Sequence, residues 1–196
     1  MTPAQAMKRE VDRAVRDAAP TPLPNTYWVL PGRLLAGEHP FGASPLEAHA
    51  RLASLGGAGI DAFLDLTVIG EMPGYRRLLP RVSEYRRFAI ADGSVPGLPA
   101  DMQAIQAHLA ATLERDRRVY VHCRAGIGRT GLVVGCFLAE IGFGGDRALR
   151  TLNALWRHCA RAATWPRVPQ TDAQAGYVAG WRAAATAREP DRRVDR

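Results

Sequence analysis

Lysine is almost missing from this sequence: Lys8 stands alone among 26 basic residues, and arginine supplies the rest. That bias is compatible with coding composition and carries no function by itself. Cysteine is scarce too. The odd set Cys123, Cys136 and Cys159 argues against a disulfide framework and for a reducing compartment, so a cytoplasmic protein is expected. No Cys-x-x-Cys pair is present, which leaves dithiol redox chemistry without its usual means. Residues 1–20 are charged throughout, with no apolar stretch of signal-peptide length. Nor does any run approach the ~20 apolar residues of a membrane helix, so no stable membrane insertion is expected. Basic residues come as scattered pairs, such as Arg76-Arg77 and Arg192-Arg193, with no aromatic-rich basic stripe. Nucleic acid is therefore not an expected partner. His39, His49 and His108 lack any spacing that suggests a metal, and neither metal nor cofactor is expected.

What is present describes a globular chain. Its 196 residues are 47% apolar and 23% charged, enough for one domain with a sizeable core. The formal charge of +7 favours anionic partners or substrates. We expect an N-terminal helical arm and Pro-rich linker over 1–24, a domain over 25–187, and a solvated tail over 188–196, in a monomer. Apolar spacing and turn residues predict helices over 3–19, 45–55, 101–115, 129–142, 146–158 and 171–187, with a short one within 71–83. Strands are predicted on either side of the Pro31-Gly32 turn and over 60–67, 84–90 and 118–123. Strands alternating with helices imply an α/β fold, a central partly parallel sheet flanked by helices.

The stretch "VYVHCRAGIGRTGLVVG" (119–135) runs from strand through glycine-bearing loop to helix, at the sheet edge where such folds bind ligands. Successive backbone N–H groups of such a loop, with the helix N-terminus, make a nest for phosphate. Arg124, Ala125, Gly126, Ile127, Gly128 and Arg129 would line it, and Arg129 adds a planar fork for two phosphate oxygens. A thiol under that positive field is expected to ionise readily, which suits Cys123 to in-line attack on phosphorus. The Thr130 hydroxyl is expected near the sulfur, and His122 is expected to hold the loop. By contrast "RHCARAA" (157–163) repeats the His-Cys pair without the glycines or the arginine, so His158 and Cys159 read as ordinary helix residues. Cys136 reads as core.

"HCRAGIGRTG" resembles the signature loop of the cysteine-dependent protein tyrosine phosphatases, in their compact dual-specificity-like and bacterial branch. "YWVLPGRLLAGEHP" and "FLDLT" look like that family's entry strands. The resemblance implies a phosphomonoester hydrolase acting on phosphotyrosine proteins, or with dual specificity, through a cysteinyl-phosphate intermediate. It also implies an acid on an upstream loop. "AIADGSVPGLP" offers Asp92, 31 residues before Cys123, with Asp101 as the alternative. "TWPRV" (164–168) lacks an aspartate and follows the cysteine, so it is not the acid loop. "RVPQTDAQAGYV" (167–178) resembles the family's glutamine-bearing segment and implies Gln174, or else Gln170, as the residue that positions water. Ile127 stands where phosphoinositide-selective relatives often carry lysine, whereas Arg124 adds a cation at the rim. A phosphoinositide or inositol phosphate thus stays an alternative substrate, and a phosphate-binding module without turnover an alternative function.

Overall fold

A computed structural model describes residues 1–182. The predicted helix–strand alternation is realised as a five-stranded sheet in the order β1-β2-β5-β3-β4. These strands are β1 (Thr26–Leu30), β2 (Leu34–Gly37), β3 (Ala62–Asp65), β4 (Glu84–Arg87) and β5 (Val119–His122). Only β1 runs antiparallel to its neighbour; β2, β5, β3 and β4 pair in parallel. The helices are α1 (Pro3–Arg16), α2 (Pro45–Gly57), α3 (Pro99–Glu114), α4 (Gly128–Glu140), α5 (Gly145–Trp156) and α6 (Asp172–Gly180). Helix α4 is buried from Gly128 to Ala139, packed among the sheet, α3, α5 and α6, which is why its sequence is apolar on nearly every side. The carboxyl ends of β2, β5 and β3 converge beside its first turn.

Three expectations are corrected. Helix formation within 71–83 is limited to one 3₁₀ turn at Arg76–Leu78, because Pro73-Gly74 and Pro80 bracket the segment. The last helix stops at Gly180 rather than 187: Trp181 is extended, and its indole N–H donates to Glu140 (2.9 Å). Residues 183–187 of that expected helix, and the tail 188–196, lie outside the described residues. Finally, the N-terminal arm expected over 1–24 is not set apart from the rest of the chain. Val11 and Ala14 of α1 belong to the main core, against β1 and α5. Lys8 donates to the Gly142 carbonyl (3.0 Å) and His158 bonds the Val15 carbonyl (3.2 Å). The Pro-rich stretch is also tied down, with the Trp28 indole donating to the Pro20 carbonyl (2.9 Å).

Cys136 is fully buried on α4, and burial pushes its thiol well up. Cys159 lies just past α5 and is buried as well, its thiol raised by the same cause. Among the described residues no helix is long and apolar enough to cross a membrane.

Candidate active site

Strand β5 delivers His122 and Cys123 to the centre of the sheet's carboxyl edge, and the chain then folds back tightly before α4. Gly126 makes that fold possible. Its φ is +77°, and a Cβ there would lie 2.6 Å from the Gly37 carbonyl carbon. The loop's carbonyls are engaged from outside. The His39 N–H donates to the Arg124 carbonyl (3.0 Å), and Arg161 Nη1 donates to the Ala125 carbonyl (2.7 Å). Arg161 is itself held by Glu38 (2.6 Å), which also pairs with Arg51 (2.6 Å). Among the described residues, no backbone N–H from Arg124 to Thr130 has a protein acceptor. Those donors follow Cys123 directly along the loop, and Cys123 itself is only 2% exposed. They form an anion nest at a helix N-terminus.

Arg129 is the buried charge of the site, with a side chain of zero exposure. Its guanidinium is gripped by Glu71 through two bonds (Nη1–Oε2 2.7 Å, Nη2–Oε1 2.5 Å) and donates to the Ile90 carbonyl (3.1 Å). Asp92 approaches the same Nη2 at 3.0 Å from the acid-loop side, while remaining 60% exposed. Only Nε lacks a partner among the described residues, although it is buried. The Arg129 hydrogen bonds hold the Glu71 carboxyl below its ordinary range. Sequence reasoning missed Glu71. One acid in the loop after β3, 58 residues before its arginine, gives no local signal; only the fold brings the two together.

The structure therefore brings Cys123, Arg129 and Asp92 to one place. Asp101 it places elsewhere: its carboxylate accepts the Leu98 N–H (3.2 Å) and caps α3. Thr130 departs from expectation, since its hydroxyl donates to the Gly37 carbonyl (3.4 Å) rather than to the Cys123 sulfur. Gln174 is fully buried, its amide engaged at both ends by Ser94 (3.0 Å) and Thr171 (3.2 Å), whereas Gln170 is exposed. Arg124 is exposed at the rim.

Beneath the loop lies a buried polar layer. His122 donates from Nδ1 to the Cys123 carbonyl (3.3 Å), and its Nε2 shares a hydrogen bond with the Tyr75 hydroxyl (2.5 Å), which donates to it when the ring is neutral. Burial pushes its pKa down. The His39 ring sits 5.2 Å from that of His122; burial first, then this neighbour, lowers His39 to about 3. Burial works against ionisation of Asp65, but the donors Tyr85 (2.6 Å) and Thr67 (2.7 Å) outweigh it and hold the carboxyl well below its ordinary range.

This layer has a consequence for stability. Each histidine takes up a proton in the unfolded chain near pH 6.5 but in the folded protein only at lower pH, for His39 near 3. The stability they support is thus complete above about pH 6.5 and falls as pH drops below it; for His39 the fall continues toward pH 3, by up to about 1.4 kcal/mol per pH unit, and His122 acts in the same direction. Thermal unfolding followed from pH 7 to 4 should show that decline. His39→Asn, whose amide oxygen can still accept the Phe41 N–H, should make it shallower; an unchanged slope would remove His39 from the account.

Comparison with known proteins agrees with this geometry. Residues 23–174 match the family model described as the Swiss Army Knife protein DSP-PTPase phosphatase domain. The chain is 37% identical over 90 residues to the protein named "Putative tyrosine phosphatase 067L" of Invertebrate iridescent virus 3; the match covers 42% of this chain and 35% of that relative. The chain thus spans about a third of the length of that curated relative. Among solved structures, kinase associated phosphatase, crystallised with serine in place of its catalytic-site cysteine, superposes with a TM-score of 0.59 at 22% identity, covering 74% of this chain and 83% of the other. TpbA of P. aeruginosa, in complex with phosphotyrosine, gives 0.60 at 17% identity over 83% and 88% of the two chains. At these identities the structural likeness is one of fold.

Proposed function

This chain belongs to the DSP-PTPase phosphatase domains of the Swiss Army Knife proteins, and we infer from its site that it hydrolyses phosphotyrosine esters of protein substrates, with dual specificity toward other phosphoresidues as the extension of that reading. The observation that carries it is the buried, unpartnered Nε–H of Arg129 inside a loop whose own amides are free. A phosphate dianion satisfies all of these donors at once. An uncharged ligand would satisfy few.

In this reading the ester's phosphoryl oxygens take the loop N–H groups of residues 124–129 and the free edge of Arg129. Glu71 fixes the plane of that fork. The Cys123 thiolate attacks phosphorus opposite the leaving oxygen; the S–P bond forms as the P–O bond to the alcohol breaks. Asp92, as the acid, gives its proton to that oxygen. Water then attacks the thiophosphate and Asp92 takes its proton. The S–P bond breaks, inorganic phosphate leaves and the thiolate is restored. His122 keeps the loop in shape through the Cys123 carbonyl. The Thr130 hydroxyl, on turning from Gly37, steadies the sulfur as it becomes the leaving group. No metal or cofactor enters these steps.

An aryl leaving group is the reading we favour from Ile69, an apolar side chain 87% exposed on the turn that carries Glu71. Arg124 favours the second reading, a phosphoinositide, because it is exposed and has no ion-pair partner among the described residues. A panel of phosphotyrosine, phosphoserine and phosphothreonine peptides with phosphoinositides alongside tests both. The highest kcat/KM is expected for phosphotyrosine. A preference for the inositol lipid would overturn the protein-substrate reading, and binding without turnover of any ester would leave a phosphate-binding module.

A further inference from the structure

Asp92 is mostly exposed, on a loop without secondary structure of its own, yet its carboxylate meets Arg129 at 3.0 Å. Something must hold that loop. Residues 91–94 form a tight turn closed by the Ser94 N–H on the Ala91 carbonyl (3.1 Å), and Gly93 supplies the φ of +70° that such a turn needs at its third position. The turn's next two carbonyls do not face solvent. That of Gly93 accepts the Thr171 hydroxyl (3.4 Å), and that of Ser94 accepts the Gln174 amide (3.0 Å).

Both donors come from the start of α6 and are locked to each other. The Thr171 hydroxyl accepts the Gln174 N–H (3.2 Å), and the Gln174 amide oxygen accepts the Thr171 N–H (3.2 Å), a reciprocal cap that fixes both side chains. The amide also lies against the phosphate loop. A Cβ added at Gly128 would stand 3.0 Å from Gln174 Oε1 and 3.1 Å from Nε2, so glycine at the first position of α4 leaves the space the amide fills. Phosphate loop, acid loop and α6 therefore meet at one buried side chain.

We propose that Thr171 and Gln174 form a latch that holds the acid loop over the phosphate loop, so that they position Asp92 for proton donation. The proposal rests on the phosphatase reading above and adds to it a role for the glutamine segment in the first chemical step. The amide keeps a second N–H and a second oxygen lone pair beyond these two bonds, so the latch leaves a water-positioning role in the second step open to it.

The test uses kcat/KM, which reports the first step alone, for phenyl phosphate and for an aryl phosphate whose phenol is strongly acidic. Gln174→Met keeps the side chain's volume and removes its hydrogen bonds. Thr171→Val removes the hydroxyl, and Thr171→Ser restores it. Gln174→Met and Thr171→Val should lower kcat/KM for phenyl phosphate by about 10-fold, a part of the 10²–10⁴ that a positioned acid supplies. The acidic ester needs no proton and should be nearly unaffected, and Thr171→Ser should recover the phenyl ester. Equal losses on both esters would mean that the variants merely damage the fold, and would overturn the latch. A loss in kcat with kcat/KM unchanged on both esters would confine Gln174 to the second step and would also overturn it. Wild-type protein that hydrolyses neither ester would instead bring down the phosphatase reading and the latch with it.

Discussion

Cys123→Ser is expected to give a folded protein that still binds phosphate esters and hydrolyses them about 10⁴–10⁶-fold more slowly, the scale of removing a covalent nucleophile. A serine hydroxyl fits the space of the buried thiol but is a far weaker nucleophile than sulfur, so the loop holds the ester without an effective attacking group. The donors that bind phosphate are unchanged, since they are backbone N–H groups and Arg129. Inorganic phosphate should therefore raise the unfolding temperature of variant and wild type alike, by the linkage between ligand binding and stability. Retained turnover would exclude Cys123 as nucleophile. Lost phosphate stabilisation together with lost turnover would mean that the serine had disturbed the loop itself.

Asp92→Ala should slow phenyl phosphate hydrolysis by about 10²–10⁴-fold, the range of a positioned general acid. The loss should shrink as the leaving phenol becomes more acidic, because such phenols depart as anions unaided. Geometry adds an expectation about binding. Asp92 lies 3.0 Å from the guanidinium nitrogen that also meets Glu71, so its carboxylate competes with a phosphate oxygen for Arg129. Removing it should leave KM unchanged or lower it while kcat falls. A rise in KM with kcat preserved would reverse the assignment. Asp101→Ala serves as the control, and because Asp101 caps α3 it should affect stability rather than leaving-group dependence.

How much of this was legible in the sequence depends on the range over which each residue acts. The strand–loop–helix of residues 119–140 could be read directly, because an apolar run, two glycines and a second apolar run are local signals. Asp92 was legible for a similar reason: an Asp-Gly pair marks its turn, and the family resemblance supplied the side of the cysteine on which to look. Glu71 was not, since nothing near it in sequence foretells an arginine 58 positions on. Arg161 was hidden inside "RHCARAA", a segment set aside for lacking the loop's glycines, yet it anchors the loop through the Ala125 carbonyl. Helix α1 could be predicted as an element but not as part of the core, because its buried face rests on residues as small as Val11 and Ala14. Gln174 was found by resemblance, while its bond to Ser94 emerged only from the way α6 packs against the acid loop.

The central claim is that Cys123 carries the phosphoryl group between two half-reactions. The most direct measurement is an acid quench of the wild-type protein during turnover of an aryl phosphate, followed by peptide mapping under conditions that preserve thiophosphate. The account predicts one phosphoryl group on the peptide containing Cys123, absent from Cys123→Ser and absent once substrate is exhausted. Phosphate on another residue, or steady turnover with no covalent phosphate at any time, would contradict it.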